Sequence, residues 1–121
     1  MARVMIVDDS PTDVQNIRNM LIKAGHEPIE AISGQDALDR IKKEKPDCVV
    51  MDVVMPGVNG FQATRQLARD PATSNIPIMV VSSKNQESDR MWALRQGAKD
   101  YLVKPVKEAE LLAKLKTLLA G

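Results

Sequence analysis

The segment Cys48-Val49-Val50-Met51-Asp52 is a continuous apolar run that ends at a carboxylate. An unbroken apolar run, without alternating polar residues, is typical of a strand in a parallel sheet that is covered on both faces. Four more short runs rich in β-forming residues occur along the chain, so we predict five strands. The other runs are residues 4–7, 28–32, 78–81 and 101–103.

The stretches between these runs have the apolar spacing of helices. In the first, Val14, Ile17 and Leu21 recur at intervals of three and four residues, and the later stretches follow the same pattern. Ser10-Pro11 places a capping hydroxyl before a proline at the first helical position, and Gly97 follows the fourth helix as a stop. Five βα units in succession predict an α/β fold, a doubly wound parallel sheet with helices on both faces.

The composition is that of one globular domain. The chain has 121 residues, of which 44% are apolar and 27% charged, and its 17 Lys and Arg against 16 Asp and Glu leave a net charge of +1. Such a balance gives no field to hold a polyanion, so we expect no nucleic-acid partner. The apolar runs are too short for a signal peptide or a membrane span, which predicts a cytoplasmic protein without membrane insertion. We expect a monomer with a single domain over residues 1–121, its last helix ending at Gly121, and no effector domain.

Three single residues have no obvious chemical role. Cys48 and His26 are the only cysteine and histidine, so an intramolecular disulfide and the familiar zinc spacings are excluded. We interpret Cys48 as a buried small apolar residue and His26 as a surface loop residue. For Trp92 the sequence leaves two positions open, in the core or facing a partner.

Polar side chains follow four of the predicted strands. Asp8 and Asp9 follow the first, Asp52 the third, Ser82 the fourth and Lys104 the fifth. Because the carboxyl ends of parallel strands meet at one edge, these side chains should lie together in the ligand crevice of the sheet. Three carboxylates with one ammonium require a further cation, and oxygen ligands suit Mg²⁺. The pattern predicts phosphoryl transfer, with Asp52 as the candidate nucleophile.

Read together, these residues resemble a known family. Asp8-Asp9, the run Asp-Val-Val-Met-Pro-Gly at 52–57, Ser82-Ser83-Lys84 and Lys104-Pro105 are similar to the motifs of the receiver domain of two-component response regulators, and the resemblance covers the whole chain. It implies a CheY-like, flavodoxin-like three-layer fold with strand order 2-1-3-4-5.

The resemblance also implies how the acidic residues act. Asp52 is expected to accept a phosphoryl group from a histidine kinase or a phosphotransfer domain. Asp9 and Asp52 are expected to bind Mg²⁺ directly, together with the Val54 carbonyl, and Asp8 through water.

Further roles implied by the family concern phosphate binding and signalling. Ser82 and Lys104 are expected to bind the phosphoryl oxygens, and Tyr101 is the expected switch aromatic; Ser82 stands where threonine is commoner. The Lys104-Pro105 bond is expected to be cis, which turns Lys104 toward Asp52. The surface expected to change on phosphorylation includes four exposed, partner-facing residues: Arg90, Leu94, Tyr101 and Lys107.

Residues 55–67 and 95–102 are similar to the PilH subgroup of stand-alone receivers. This resemblance implies a chemotaxis-like kinase as the phosphodonor and control of type IV pilus twitching motility through protein–protein interaction, without an enzymatic activity on a separate substrate. A phosphate sink with no output of its own is the alternative.

Two other classes of protein fit less well. A haloacid-dehalogenase-type phosphatase also has an aspartyl nucleophile but needs a second Asp two residues later, where this chain has Val54. A flavodoxin-like cofactor binder needs a glycine- and hydroxyl-rich phosphate loop after the first strand and aromatic residues around the flavin. Here that loop carries Asp8 and Asp9, and aromatic residues make up only 2% of the chain.

Overall fold

A computed structural model describes residues 1–55 and 57–120; Pro56 of the family motif and the predicted last helical residue, Gly121, lie outside the described residues. Strands and helices alternate along the described chain in five βα units, as the sequence predicts. The strands are β1 (Arg3–Val7), β2 (Glu27–Ala31), β3 (Cys48–Met51), β4 (Ile78–Ser82) and β5 (Asp100–Val103). The helices are α1 (Pro11–Lys23), α2 (Gly34–Glu44), α3 (Gly60–Arg69), α4 (Glu87–Gln96) and α5 (Glu108–Ala120).

The five strands form one parallel sheet in the order β2-β1-β3-β4-β5, which confirms the expected topology. The strands β1, β4 and β5 each extend one residue beyond their predicted bounds at one end. In β2 the prediction of residues 28–32 is wrong at both ends, because Glu27 pairs with Arg3 and Ala31 pairs with Val7, the last residue of β1. Ile32 therefore has no partner strand beside it and is 74% exposed.

Successive residues of the central strands point to opposite, equally covered faces of the sheet. Val4 and Ile6 of β1 pack in one core with α1 and α5, whose contributions include Leu21 and Leu115. Met5 and Val7 pack in a second core with residues of α2 and α3. A smaller cluster joins α4 to β5. Helices on both faces explain why the central strands contain unbroken apolar runs.

Helix starts at the carboxyl edge of the sheet follow local capping rules. The Ser10 hydroxyl accepts a hydrogen bond from the Asp13 amide at the start of α1, and Ser33 does the same for the Asp36 amide at the start of α2. At the start of α3 the Asn59 side chain accepts from the Gln62 amide, and the Gln62 side chain accepts in return from the Asn59 amide. These caps fix the loops that surround the predicted site.

Candidate functional site

The three predicted acidic residues lie together at the carboxyl edge of the sheet. Asp8 and Asp9 follow β1, and Asp52 follows the neighbouring strand β3. One carboxylate oxygen from each lies within 4.8 Å of the others. Asp8 and Asp52 are buried, whereas Asp9 is exposed. The cluster is therefore a partly enclosed set of oxygen donors with one side open to solvent.

Backbone contacts hold these carboxylates in place. The Asp52 amide donates to the Val7 carbonyl at 2.9 Å, which continues the pairing of β3 with β1 beyond the strand ends. One Asp8 oxygen accepts from the Ser10 amide at 2.9 Å, and one Asp52 oxygen accepts from the Val54 amide at 3.4 Å. The loops that follow the strands thus orient both side chains.

Gly60, the first residue of α3, lies directly against the backbone of Asp52. A β-carbon at position 60 would overlap the Asp52 carbonyl and meet the α-carbon of Val53 at 2.6 Å. The Gly60 amide donates to the Val53 carbonyl at 3.3 Å. Only glycine fits this close approach of helix and loop, so the residue sets the position of the loop that carries Asp52.

The Lys104 ammonium is the cation of this cluster. Its Nζ lies 2.9 Å from Asp8 Oδ2, 2.8 Å from Asp13 Oδ2 and 3.9 Å from Asp52 Oδ2. The side chain is only 15% exposed. The Lys104-Pro105 bond is cis, as the family resemblance implies. The amine reaches Asp52 as expected, as an ion pair at 3.9 Å, while its two hydrogen bonds go to Asp8 and Asp13.

Asp13 is the residue of the cluster that sequence reasoning missed. The other residues of the cluster directly follow a strand, whereas Asp13 lies in the first turn of α1. The Ser10-Pro11 cap predicts where that turn begins, but not that its third residue faces the fifth strand. The available signal was an acidic residue in a helix turn that starts at the carboxyl edge of the sheet.

Burial and like charge shift the proton affinity of Asp52. Desolvation and then the nearby charge of Asp8 raise its pKa from 3.8 to about 6, against the opposing effects of Lys104 and the backbone amides. Burial alone would lower the pKa of Lys104, but hydrogen bonds to Asp13 and Asp8 together with the charge of Asp52 raise it overall. The hydrogen bond from Lys104 lowers the pKa of Asp13. At neutral pH the site therefore holds an excess of negative charge around a destabilised Asp52 carboxylate.

The donor set fits a hard divalent cation. Four carboxylates share one ammonium, so the cluster remains electrostatically unbalanced. Mg²⁺ binds through one or two carboxylates, keeps several waters and prefers oxygen ligands. The geometry of Asp8, Asp9 and Asp52 is compatible with these requirements, and the exposed side of the cluster leaves room for water.

Comparison with known proteins gives the family. Residues 4–116 match the family model of the response regulator receiver domain. The chain belongs to this family. It is 54% identical to the protein PilH of Pseudomonas aeruginosa over 121 residues, all of both chains.

Solved structures of receivers agree with the fold. A putative response regulator from Chloroflexus aurantiacus has a TM-score of 0.96 with this chain at 33% identity, covering 99% of this chain and 98% of that one. The receiver domain of a sensor histidine kinase from Pseudomonas aeruginosa has a TM-score of 0.91 at 28% identity, with coverage of 99% and 98%. That receiver has a magnesium ion coordinated in its active site cleft.

Two further residues expected at the receiver site lie on β4 and β5. Ser82 is the last residue of β4, is buried, and accepts a hydrogen bond from the Lys84 amide at 3.2 Å. Tyr101 was expected to be exposed, and this prediction is wrong, since only 6% of the residue is accessible. Its ring packs with Val80 and Ala93, and its hydroxyl donates to the Lys84 carbonyl at 2.8 Å.

The predicted output surface of the receiver is exposed in part. Arg90 and Lys107 are exposed as predicted, whereas Leu94 is half-buried, contrary to its predicted exposure. Arg90 pairs with Glu87 one turn earlier on α4. Trp92, whose position the sequence left open, is 49% exposed and so lies at the surface of α4.

The remaining single residues have structural roles. Cys48 is fully buried in the core between the sheet, α1 and α5, which confirms its interpretation as a small apolar residue. Burial, with a smaller effect of Asp47, raises the pKa of the Cys48 thiol to about 12, so it is not a reactive thiolate. His26 is half-buried, and its Nδ1 accepts from the Ala2 amide at 3.1 Å. Within residues 1–55 and 57–120, no helix has the length and apolar character needed to cross a membrane.

Proposed function

We propose that this receiver accepts a phosphoryl group on the Asp52 carboxylate from a histidine kinase or phosphotransfer domain, in a Mg²⁺-dependent reaction. The observation that carries the proposal is the placement of a buried Asp52 carboxylate beside Asp8, Asp9 and the Lys104 ammonium at the carboxyl edge of the sheet. Its pKa of about 6 leaves Asp52 mostly ionised at neutral pH, as a nucleophile requires.

The residues that would hold the metal are Asp9 and Asp52 directly, with the Val54 carbonyl, and Asp8 through water. Once bound, Mg²⁺ would neutralise charge on the transferred phosphoryl group. The similar receiver with magnesium in its active site cleft supports this assignment. The metal-binding role of the Val54 carbonyl rests on the family resemblance.

The chemical step uses the chain's own groups. An ionised Asp52 oxygen attacks phosphorus in line with the leaving group, a P–O bond forms, and the P–N bond to the donor imidazole breaks. The nitrogen leaves with the bonding electron pair and is protonated. Lys104 and the Ser82 hydroxyl stabilise the phosphoryl oxygens, since phosphoryl transfer depends mainly on positioning and charge neutralisation. The receiver then acts as a phosphoacceptor, not as an enzyme with a separate substrate.

We propose type IV pilus twitching motility as the process, with a chemotaxis-like kinase as the donor. The support is the 54% identity with PilH over the whole of both chains. The output would be a protein–protein interaction that depends on phosphorylation, through the surface that includes Arg90 and Lys107. A phosphate sink without such an interaction is the competing role, and amide exchange with and without beryllofluoride separates the two.

The phosphoacceptor role is tested by incubating the protein with acetyl phosphate and Mg²⁺ and weighing it intact. We expect a gain of one phosphoryl group that is absent in the presence of a chelator and in Asp52→Asn. Asp39→Asn is the matched control, because Asp39 is exposed on α2 and contacts only Gln35 among the bonds of the described residues. This control should be modified like the wild type. A gain that survives in Asp52→Asn contradicts the proposal.

A further inference from the structure

The Lys104 ammonium donates its hydrogen bonds to Asp8 and Asp13 and not to Asp52. An ammonium has three protons to donate. Two are used in the hydrogen bonds to Asp13 at 2.8 Å and Asp8 at 2.9 Å. Asp52 Oδ2, at 3.9 Å, is beyond hydrogen-bond distance. The cation nearest to the proposed phosphoacceptor is therefore bound to other carboxylates.

Asp13 is well placed to compete for this cation. It is the third residue of α1, and the Ser10 cap together with Pro11 fixes the turn that carries it. Its side chain is 37% exposed, against 3% for Asp8 and 8% for Asp52. A small cavity of about 90 Å³ lies beside the pair and is lined by Asp13, Asn16, Ile17, Lys104, Pro105 and Val106.

We propose that Asp13 is a positioning residue that holds Lys104 away from Asp52 in the unphosphorylated receiver and so weakens anion binding at Asp52. The inference rests on the proposed role of Asp52 as phosphoacceptor. An anion at Asp52 must draw the ammonium from Asp13 and is also repelled by the Asp13 charge. A divalent cation at Asp8, Asp9 and Asp52 repels the ammonium, and Asp13 then provides a hydrogen-bond acceptor outside the metal ligands.

Removal of the Asp13 charge should therefore have opposite effects on the two ions. In Asp13→Asn, beryllofluoride at saturating Mg²⁺ should bind about threefold more tightly or better. In a nearly aqueous environment, a unit charge several ångströms from the bound anion changes the dissociation constant by about this factor. Mg²⁺ without fluoride should bind more weakly by a similar factor, because Lys104 stays with Asp8. Both dissociation constants are measured by calorimetric titration.

Matched variants separate this effect from a change in net charge or in helix stability. Asp39→Asn removes the same charge from an exposed site on α2 and should leave both constants at the wild-type values. Asp13→Glu keeps the charge and should lie closer to the wild type than Asp13→Asn. Thermal unfolding checks that each variant is folded. If Asp13→Asn does not fold, Asp13→Ser takes its place in the same titrations.

The outcomes distinguish this inference from the proposed function. If the wild type binds beryllofluoride and Asp13→Asn binds it no more tightly, or if both ions bind more weakly together, the positioning role of Asp13 is wrong while the role of Asp52 stands. If the wild type binds no beryllofluoride in the presence of Mg²⁺, the proposed phosphoacceptor role fails and the positioning role fails with it.

Discussion

Replacement of Asp52 by asparagine should stabilise the metal-free protein at neutral pH. The folded state raises the pKa of Asp52 from 3.8 to about 6, so it binds this proton more tightly than the unfolded chain does. The ionised carboxylate therefore costs stability, fully above about pH 6 and not at all below pH 3.8. At 1.36 kcal/mol per pKa unit, the cost is about 3 kcal/mol. Solvent screening is small, because only 8% of the Asp52 side chain is exposed.

The assay is unfolding by urea and by heat in a chelating buffer. For a 121-residue chain with an unfolding entropy of about 2.1 cal/mol/K per residue, the gain corresponds to a rise in melting temperature of about 12 °C at pH 7.5. The gain should shrink as the pH falls through 6 and vanish near pH 3.8. Addition of Mg²⁺ should reduce it, because the metal binds and stabilises only the wild-type carboxylate.

The control for this prediction is Asp39→Asn, which should change the free energy of unfolding by no more than about 0.5 kcal/mol, both at about pH 7.5 and at about pH 3.5. If Asp52→Asn is no more stable than the control at pH 7.5, the folded state does not destabilise the Asp52 carboxylate and the prediction is wrong. It is also refuted if the same gain persists at pH 3.5, since a carboxyl that is protonated in both states has no charge to remove.

Three further predictions concern the metal, the close approach of α3 and the output. Millimolar Mg²⁺ should raise the melting temperature of the wild type and not that of Asp9→Ala; an equal rise in both would place the metal elsewhere. Gly60→Ala should destabilise the protein by about 1–3 kcal/mol in urea unfolding, because the added methyl overlaps the Asp52 carbonyl, and an unchanged midpoint would contradict this packing. Amide exchange with and without beryllofluoride should show altered protection from about residue 83 to residue 107, whereas changes confined to the loops of Asp9 and Asp52 would favour the phosphate sink.

The sheet could be predicted from the sequence because the central strands β1, β3 and β4 contain unbroken apolar runs, whereas the edge strand β2 mixes apolar and charged residues. The run Cys48–Met51 matches β3 at both ends. Other strand ends differ by one residue, since they depend on the length of the neighbouring strand and not on local composition. Ile32 is apolar enough to extend β2, yet β1 ends before it can be paired.

The carboxylates of Asp8, Asp9 and Asp52 and the Lys104 ammonium do lie together, because parallel strands place their carboxyl ends at one edge. Asp13 could not be found in this way, since the direction that a helical side chain faces depends on how α1 packs on the sheet. The predicted exposure of Tyr101 is wrong because it neglects the cover that α4 gives to β5. A sheet covered on both faces also covers β5, with Leu102 under α5 and Tyr101 under α4.

The position of the phosphoryl group decides whether Asp52 is the phosphoacceptor. The protein is phosphorylated with acetyl phosphate and Mg²⁺, the acyl phosphate is reduced with borohydride, and peptide mass spectrometry locates the residue converted to homoserine. We predict conversion at Asp52 alone, with Asp8, Asp9 and Asp13 unchanged. Conversion at one of these three residues, or no conversion anywhere, would contradict the assignment of Asp52 as the phosphoacceptor.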